Sequence, residues 1–235
     1  MAAGAATAHR SDRALARFPA PTRRSDADRQ GPPFPGFEPA HRTRPPPTPG
    51  ERTVVDAAFA VIAEATMAAP QRLAHRDFQS ANLLLRDDAS SAGGERLVLI
   101  DLQGAFLAPP EYDLVCLLRD SYVVLDDAEA DALAEHVRPQ LPDAPTAGEF
   151  AERFDLLTLA RKAKDHALFH EVAARGDASW LRFVPATLAY LRRAAQRVAP
   201  RDPRLARFGD LLETLTARAA PPDPPPDAGD AACAR

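Results

Sequence analysis

Apolar positions through the middle of the chain follow a helical period. Leu156, Leu159, Ala160, Ala163 and Ala167 stand at offsets of three, four, seven and eleven, which is one face of a long helix. Val184, Leu188, Leu191, Ala195 and Val198 repeat the arrangement, with Pro185 in a first turn where its missing N–H costs nothing. Further helices are expected from about Thr53 to Ala68, stopping before Pro70, and from about Pro203 to Arg218. These stripes read as core-facing surfaces. Two short unbroken runs differ in kind. Leu83 to Leu85 and Leu97 to Ile100 flank a turn-rich stretch containing Gly93 and Gly94, and so predict one antiparallel hairpin. If Leu83 pairs with Ile100 and Leu85 with Val98, Asn82 comes to stand beside Asp101.

Toward both ends the periodicity stops. Ten prolines lie between residues 19 and 49, each removing a backbone donor and fixing φ. Residues 1–50 are therefore expected to form a disordered Pro-, Arg- and Ala-rich segment, 51–218 the folded part, and 219–235 a disordered Pro-rich tail. A formal net charge of -4 leaves no positive excess for phosphate backbones or anionic lipids, so neither nucleic acid nor a membrane is an expected partner. Two cysteines, Cys116 and Cys233, supply neither a disulfide framework nor a CxxC site. With no long apolar run for a signal peptide or a membrane span, a cytoplasmic location is expected.

The polar ends of the hairpin carry the candidate chemistry. An Asn oxygen and an Asp carboxylate meeting at one end of an apolar hairpin are hard oxygen ligands, the kind that Mg²⁺ takes together with phosphate oxygens. Five residues before Asn82 stands Asp77, in the stretch His75-Arg76-Asp77-Phe78-Gln79-Ser80-Ala81-Asn82. A loop carboxylate beside such a metal can orient a substrate hydroxyl and accept its proton. H-x-D-x-x-x-x-N followed by an apolar strand ending in Asp is the spacing of a kinase catalytic loop and its metal-binding Asp. Blander roles stand beside these: His75 as a packed histidine, Arg76 as a local ion-pair partner, Asp77 and Asp101 as turn caps.

The segments LAHRDFQSANLLL, LVLIDLQGAFLAPPEYDLVCLLRDSYVVL and FDLLTLARKAKDHALF resemble the C-terminal lobe of the aminoglycoside phosphotransferase and choline kinase superfamily. Within it they are most similar to bacterial kinases of the anomeric hydroxyl of N-acetylmuramate and N-acetylglucosamine. The resemblance covers roughly residues 51 to 215. It implies an α+β protein kinase-like fold, C-terminal lobe only, mainly α-helical with one small hairpin. It further implies ATP as co-substrate, Mg²⁺, and a small-molecule sugar or aminoglycoside acceptor. By position Asp77 resembles the catalytic base, and Asn82 and Asp101 the Mg²⁺ ligands. His75, Arg76 and Asp113 would support the catalytic loop, Asp113 while also capping the next helix. Arg119, Asp120, Arg161 and Lys164 would stand near the acceptor, with surface ion pairs or a solvated helix face as their alternatives. Leu102 and Gln103 intervene between Asp101 and Gly104, so no glycine occupies the kinase DFG position.

The resemblance fails upstream. No lysine precedes Lys162, and no GxGxxG loop stands before His75, so the nucleotide-clamping N-terminal lobe is expected to be missing. Three accounts follow: a fragment of a longer reading frame, a partner chain that supplies the lobe, or a degenerate member that serves as a non-catalytic, pseudokinase-like helical binding module. The chain by itself is expected to be weakly active or inactive.

Overall fold

The computed structural model describes residues 47–85 and 97–219. Its first helix, α1 (Pro49–Ala68), begins on a capping box: Glu51 N donates to Thr48 Oγ1 at 3.2 Å, and Thr48 N donates to Glu51 Oε2 at 2.7 Å. With Pro49 in the first turn, α1 begins two residues before position 51. The expectation of disorder at both ends otherwise lies outside the described residues.

Four short strands follow α1, where one hairpin was expected. β1 (Arg72–Ala74) pairs antiparallel with β4 (Phe106–Ala108), and β2 (Leu83–Leu85) with β3 (Leu97–Leu99). The β2–β3 register is Leu83↔Leu99 and Leu85↔Leu97, one residue off the expected Leu83–Ile100 pairing. Ile100 N instead donates to Asn82 O at 3.1 Å, so Ile100 faces Asn82. Asp101, with φ of 69°, turns out of the ladder.

The remaining elements are α2 (Glu111–Leu118), α3 (Asp127–Val137), α4 (Ala147–Ala174), α5 (Val184–Val198) and α6 (Pro203–Ala219). Short 3₁₀ turns stand at Ser80–Asn82, Leu102–Gly104 and Ala178–Phe183. Pro185 lies in the first turn of α5, as expected. α3 shows no apolar stripe in the sequence, because it buries only the small residues Ala130 and Ala134. Asp126 caps it, accepting from Glu129 N at 2.8 Å.

α4 is the axis of the fold. One face joins Leu156 and Leu159 to Ala58 and Ile62 of α1, to Leu191, Ala195 and Val198 of α5, and to Leu205 and Phe208 of α6. Another joins Phe150, Phe154 and Leu157 to Val115 and Leu118 of α2 and to the α3 alanines. Enclosed on both faces, α4 also buries the charged side chains Asp155, Arg161, Lys162 and Asp165. Among the described residues no helix is long and apolar enough to cross a membrane.

Asp155 gives the fold a pH dependence. Burial pushes its carboxyl up to about 6, against the pull of Arg197, 3.7 Å away, and of Arg119, and with Asp131 adding repulsion. A folded value above the unfolded one means that the folded state holds the extra proton. Stability therefore falls as pH rises from about 4 to 6 and levels off above that. Asp155→Asn is expected to flatten this slope and to stabilise the protein at pH 7 by about 2–3 kcal/mol, at 1.36 kcal/mol per pKa unit. Chemical denaturation of both proteins at pH 4.5 and 7 checks this; a slope left intact in the variant would refute it.

Candidate active site

His75 follows β1 directly and is buried, and the chain then reverses through Arg76, whose φ of 80° lies in the left-handed region. A non-glycine residue there costs about 1–3 kcal/mol and persists only where its surroundings hold it. Asp113 does much of the holding, because its two carboxylate oxygens accept His75 N at 2.7 Å and Arg76 N at 3.1 Å. The carboxylate is thus committed to the loop. It does not cap α2, whose N-cap is Pro110, and this corrects half of the expectation for Asp113. Arg76 O accepts from Arg161 Nη1 at 2.9 Å and Cys116 Sγ at 3.2 Å. His75 Nε2 lies 2.9 Å from Ile100 O, tying the loop to the end of β3.

Asp77 comes next. Its Oδ1 accepts Arg161 Nη1 at 2.9 Å, and its backbone carbonyl accepts Asn82 Nδ2 at 2.8 Å and Gln79 N at 2.9 Å. The Asn82 contact fixes the orientation of that amide and leaves Asn82 Oδ1 with no donor among the described residues. Across from it, a Cβ on Gly104 would stand 3.3 Å from Arg76 Cδ and 4.0 Å from Asp77 Oδ2. The turn after Asp101 is therefore laid against Arg76 and Asp77, and a side chain at position 104 would need the Arg76 side chain to give by a few tenths of an ångström. Asp101 is exposed, and its Oδ1 accepts from Gln103 Nε2. Burial pushes the Asp77 carboxyl up, but the hydrogen bond and charge of Arg161, with Lys164 and Arg76 behind, outweigh it and hold the group below the usual carboxylate range. A hard oxygen from Asn82, whose amide nitrogen is already committed, and an exposed carboxylate at Asp101 are the donors that fit Mg²⁺.

The residues expected around the acceptor are distributed differently. Asp120 is 2 % exposed and accepts Ser80 N at 2.9 Å, Ser80 Oγ at 2.5 Å and Tyr122 N at 2.8 Å, so it anchors the loop that follows His75 and is turned away from solvent. Arg119, also 2 % exposed, donates to Asp131 at 2.9 Å and lies over the rings of Phe154 and Tyr190, at 5.2 and 5.6 Å from their centroids. Neither residue is exposed as a surface ion pair or an acceptor contact would be, because Arg119 is covered by Asp131, Phe154 and Tyr190 and Asp120 is taken up by Ser80 and Tyr122. Arg161 is buried against the loop and is not part of a solvated face. Lys164 is half-buried; burial and the neighbouring Arg161 lower its ammonium pKa, against the pull of Asp165 and Asp77. Sequence reasoning passed over Lys162 and Asp165. Lys162 Nζ donates to Asp165 Oδ2 at 2.9 Å and to Ser121 Oγ at 3.1 Å. The i,i+3 and i,i+4 spacing of Lys162 and Arg161 from Asp165 was the signal available.

Comparison with known proteins gives the same direction. The chain is 30% identical over 166 residues to an N-acetylmuramate/N-acetylglucosamine kinase of Pseudomonas putida, an alignment covering 68% of this chain and 45% of the relative. A kinase of the same name from Pseudomonas aeruginosa is 26% identical over 161 residues, covering 66% and 44%. One from Neisseria meningitidis serogroup B is 30% identical over 152 residues, covering 62% and 43%. The chain spans less than half the length of each relative. The model of the phosphotransferase enzyme family matches residues 2–150, beginning upstream of the described residues and ending at the first turn of α4. That match takes in the loop, the hairpin and α2 with its Asp113 brace, and because it covers more than half of the sequence, the chain belongs to the phosphotransferase enzyme family.

Proposed function

We propose that this chain carries the catalytic loop of an ATP- and Mg²⁺-dependent phosphotransferase acting on a hydroxyl of an amino sugar. The observation that carries the reading is the state of Asp77. One carboxylate oxygen is fixed by Arg161, no described residue donates to the other, and the backbone carbonyl is tied to Asn82. An acceptor hydroxyl would donate to Oδ2. As its oxygen bonds to the γ-phosphorus, the bond from that phosphorus to the bridging oxygen breaks, ADP leaves with the electron pair, and the hydroxyl proton passes to Asp77. Held below the usual carboxylate range, Asp77 is a weak base, so its main contribution is to aim the hydroxyl. A loose transition state asks little more of it. Asn82 Oδ1 and the Asp101 carboxylate would hold the Mg²⁺, which when bound neutralises charge on the phosphate oxygens. The amino-sugar class rests on the names of the relatives, and a cytoplasmic setting is where ATP would be met.

The test is incubation of the purified chain with labelled Mg²⁺–ATP and N-acetylmuramate, N-acetylglucosamine or an aminoglycoside. Label is expected on an amino sugar at the low rate of the chain by itself, and Asp101→Ala is expected to weaken Mg²⁺ dependence on the order of tenfold or more. Sugar binding without any label transfer would favour the non-catalytic binding module. Transfer that survives chelation of Mg²⁺ would remove the metal from the reading.

A further inference from the structure

Arg161 is the point at which the central helix reaches the catalytic loop. Only 6 % exposed, it stands beside the Tyr112 hydroxyl and donates to four further partners. Nη1 donates to Arg76 O and to Asp77 Oδ1, each at 2.9 Å, Nη2 to Gln79 Oε1 at 3.4 Å, and Nε to Asp165 at 3.3 Å. Three of these partners lie in residues 76 to 79. The fourth faces back into α4, where Asp165 is shared with Lys162, Lys162 with Ser121, and Ser121 with Thr187 of α5 at 2.8 Å. A side chain so committed has little left to offer a sugar. Nor is it interchangeable with lysine, since a planar guanidinium presents five N–H donors in a fixed fork whereas an ammonium is a point charge on a flexible stem.

We infer that Arg161 is the positioning residue of Asp77: by gripping Oδ1 and the Arg76 carbonyl together, it stops the carboxylate from rotating and leaves Oδ2 aimed at the acceptor hydroxyl. The inference rests on the proposed transfer reaction. Without the fork, the short Asp77 side chain turns about its own bonds, and a displacement of about 1 Å at a reacting group costs on the order of 100-fold in rate. The effect belongs to turnover, not to acceptor binding.

Two measurements on the full chain test it. In nitrogen-15 NMR spectra the guanidinium N–H signals of Arg161 are expected to be resolved and slow to exchange, and to broaden in Asp77→Ala, which removes the oxygen that Nη1 grips. Signals that do not respond to Asp77→Ala overturn the clamp whether or not the chain turns over. In the transfer assay Arg161→Met is expected to lower kcat about 10- to 100-fold with acceptor KM changed less than about threefold, and Arg161→Lys to recover part of the loss. Lys162 continues to pair with Asp165, so the variants keep a partner for that buried carboxylate, and Arg161→Lys remains informative if Arg161→Met fails to fold. A raised KM at unchanged kcat would make Arg161 an acceptor ligand and overturn the positioning role. Undiminished transfer by Asp77→Asn would instead sink the proposed reaction while leaving the NMR result for Arg161 standing.

Discussion

Asp77→Asn is expected to lower phosphoryl transfer about 10²- to 10⁴-fold from the rate of the unmodified chain, the usual contribution of a positioned general base. The substitution preserves shape. An Asn oxygen at the Oδ1 position still accepts from Arg161, and the backbone carbonyl still accepts from Asn82. What changes is the other position, where an NH₂ group replaces Oδ2. It donates and cannot accept, so the acceptor hydroxyl loses both its orientation and the destination of its proton. Because the loop is held by Asp113, Asp120 and Cys116 as well as by Arg161, the variant is expected to fold like the parent. Its acceptor KM should move little. Initial rates together with a thermal melt separate the outcomes: a chemical loss leaves the melt nearly unchanged, whereas activity near that of the parent would remove Asp77 from the mechanism.

How much of this site the sequence discloses depends on the distance over which each contact closes. Asp77 and Asn82 are five positions apart and meet through one local bond, and the hairpin brings Asp101 back to the same end. Spacing alone can show that. The anchors are remote: 38 positions separate His75 from Asp113, 40 separate Ser80 from Asp120, and 84 separate Asp77 from Arg161. Without the packing of α2 and α4 they look like ordinary surface charges. Asp120 and Arg161 are nevertheless both buried.

Register was lost for a different reason. A run of leucines offers no alternation to pin a strand, and a slip of one residue turns every side chain over. Leu84, Leu85, Leu97 and Leu99 are all exposed, so no buried face selects one pairing. The convergence of Asn82 and Asp101 at one end of the hairpin tolerates that slip, because Asp101 leaves the ladder in a left-handed conformation just beyond Ile100. β1 and β4 escaped notice because each is three residues long and their partners lie far apart in the chain. α4 misled in another way, since its apolar stripe is real but the charged positions between its members also face inward.

The loop thus depends on how α2 docks against α4, and a buried ion pair lies in that contact beside the apolar cluster. Glu111, in the first turn of α2, is fully buried, and Arg153 of α4 reaches it at 3.1 Å while also binding Asp143 at 3.0 Å. Arg153→Met is expected to cost about 3–5 kcal/mol, because removing one partner strands a buried charge. For a folded region of this size the melting temperature should fall on the order of 10 °C. The loss should depend on pH in a definite direction. Burial raises the Glu111 carboxyl above its ordinary range, with Arg153 pulling down and Asp143 pushing up. Deleting Arg153 raises it further, and a group raised in the folded state contributes stability at low pH that disappears as pH climbs through its folded value. At pH 5 the stranded Glu111 can take up a proton and much of the penalty is relieved; at pH 8 it cannot do so cheaply. Adding Glu111→Met should recover most of the loss, since a matched apolar pair carries no desolvation cost. Denaturation curves of both variants at pH 5 and 8 decide the matter. A penalty equal at the two values and untouched by the second substitution would show that Arg153 holds α2 by packing and not by charge.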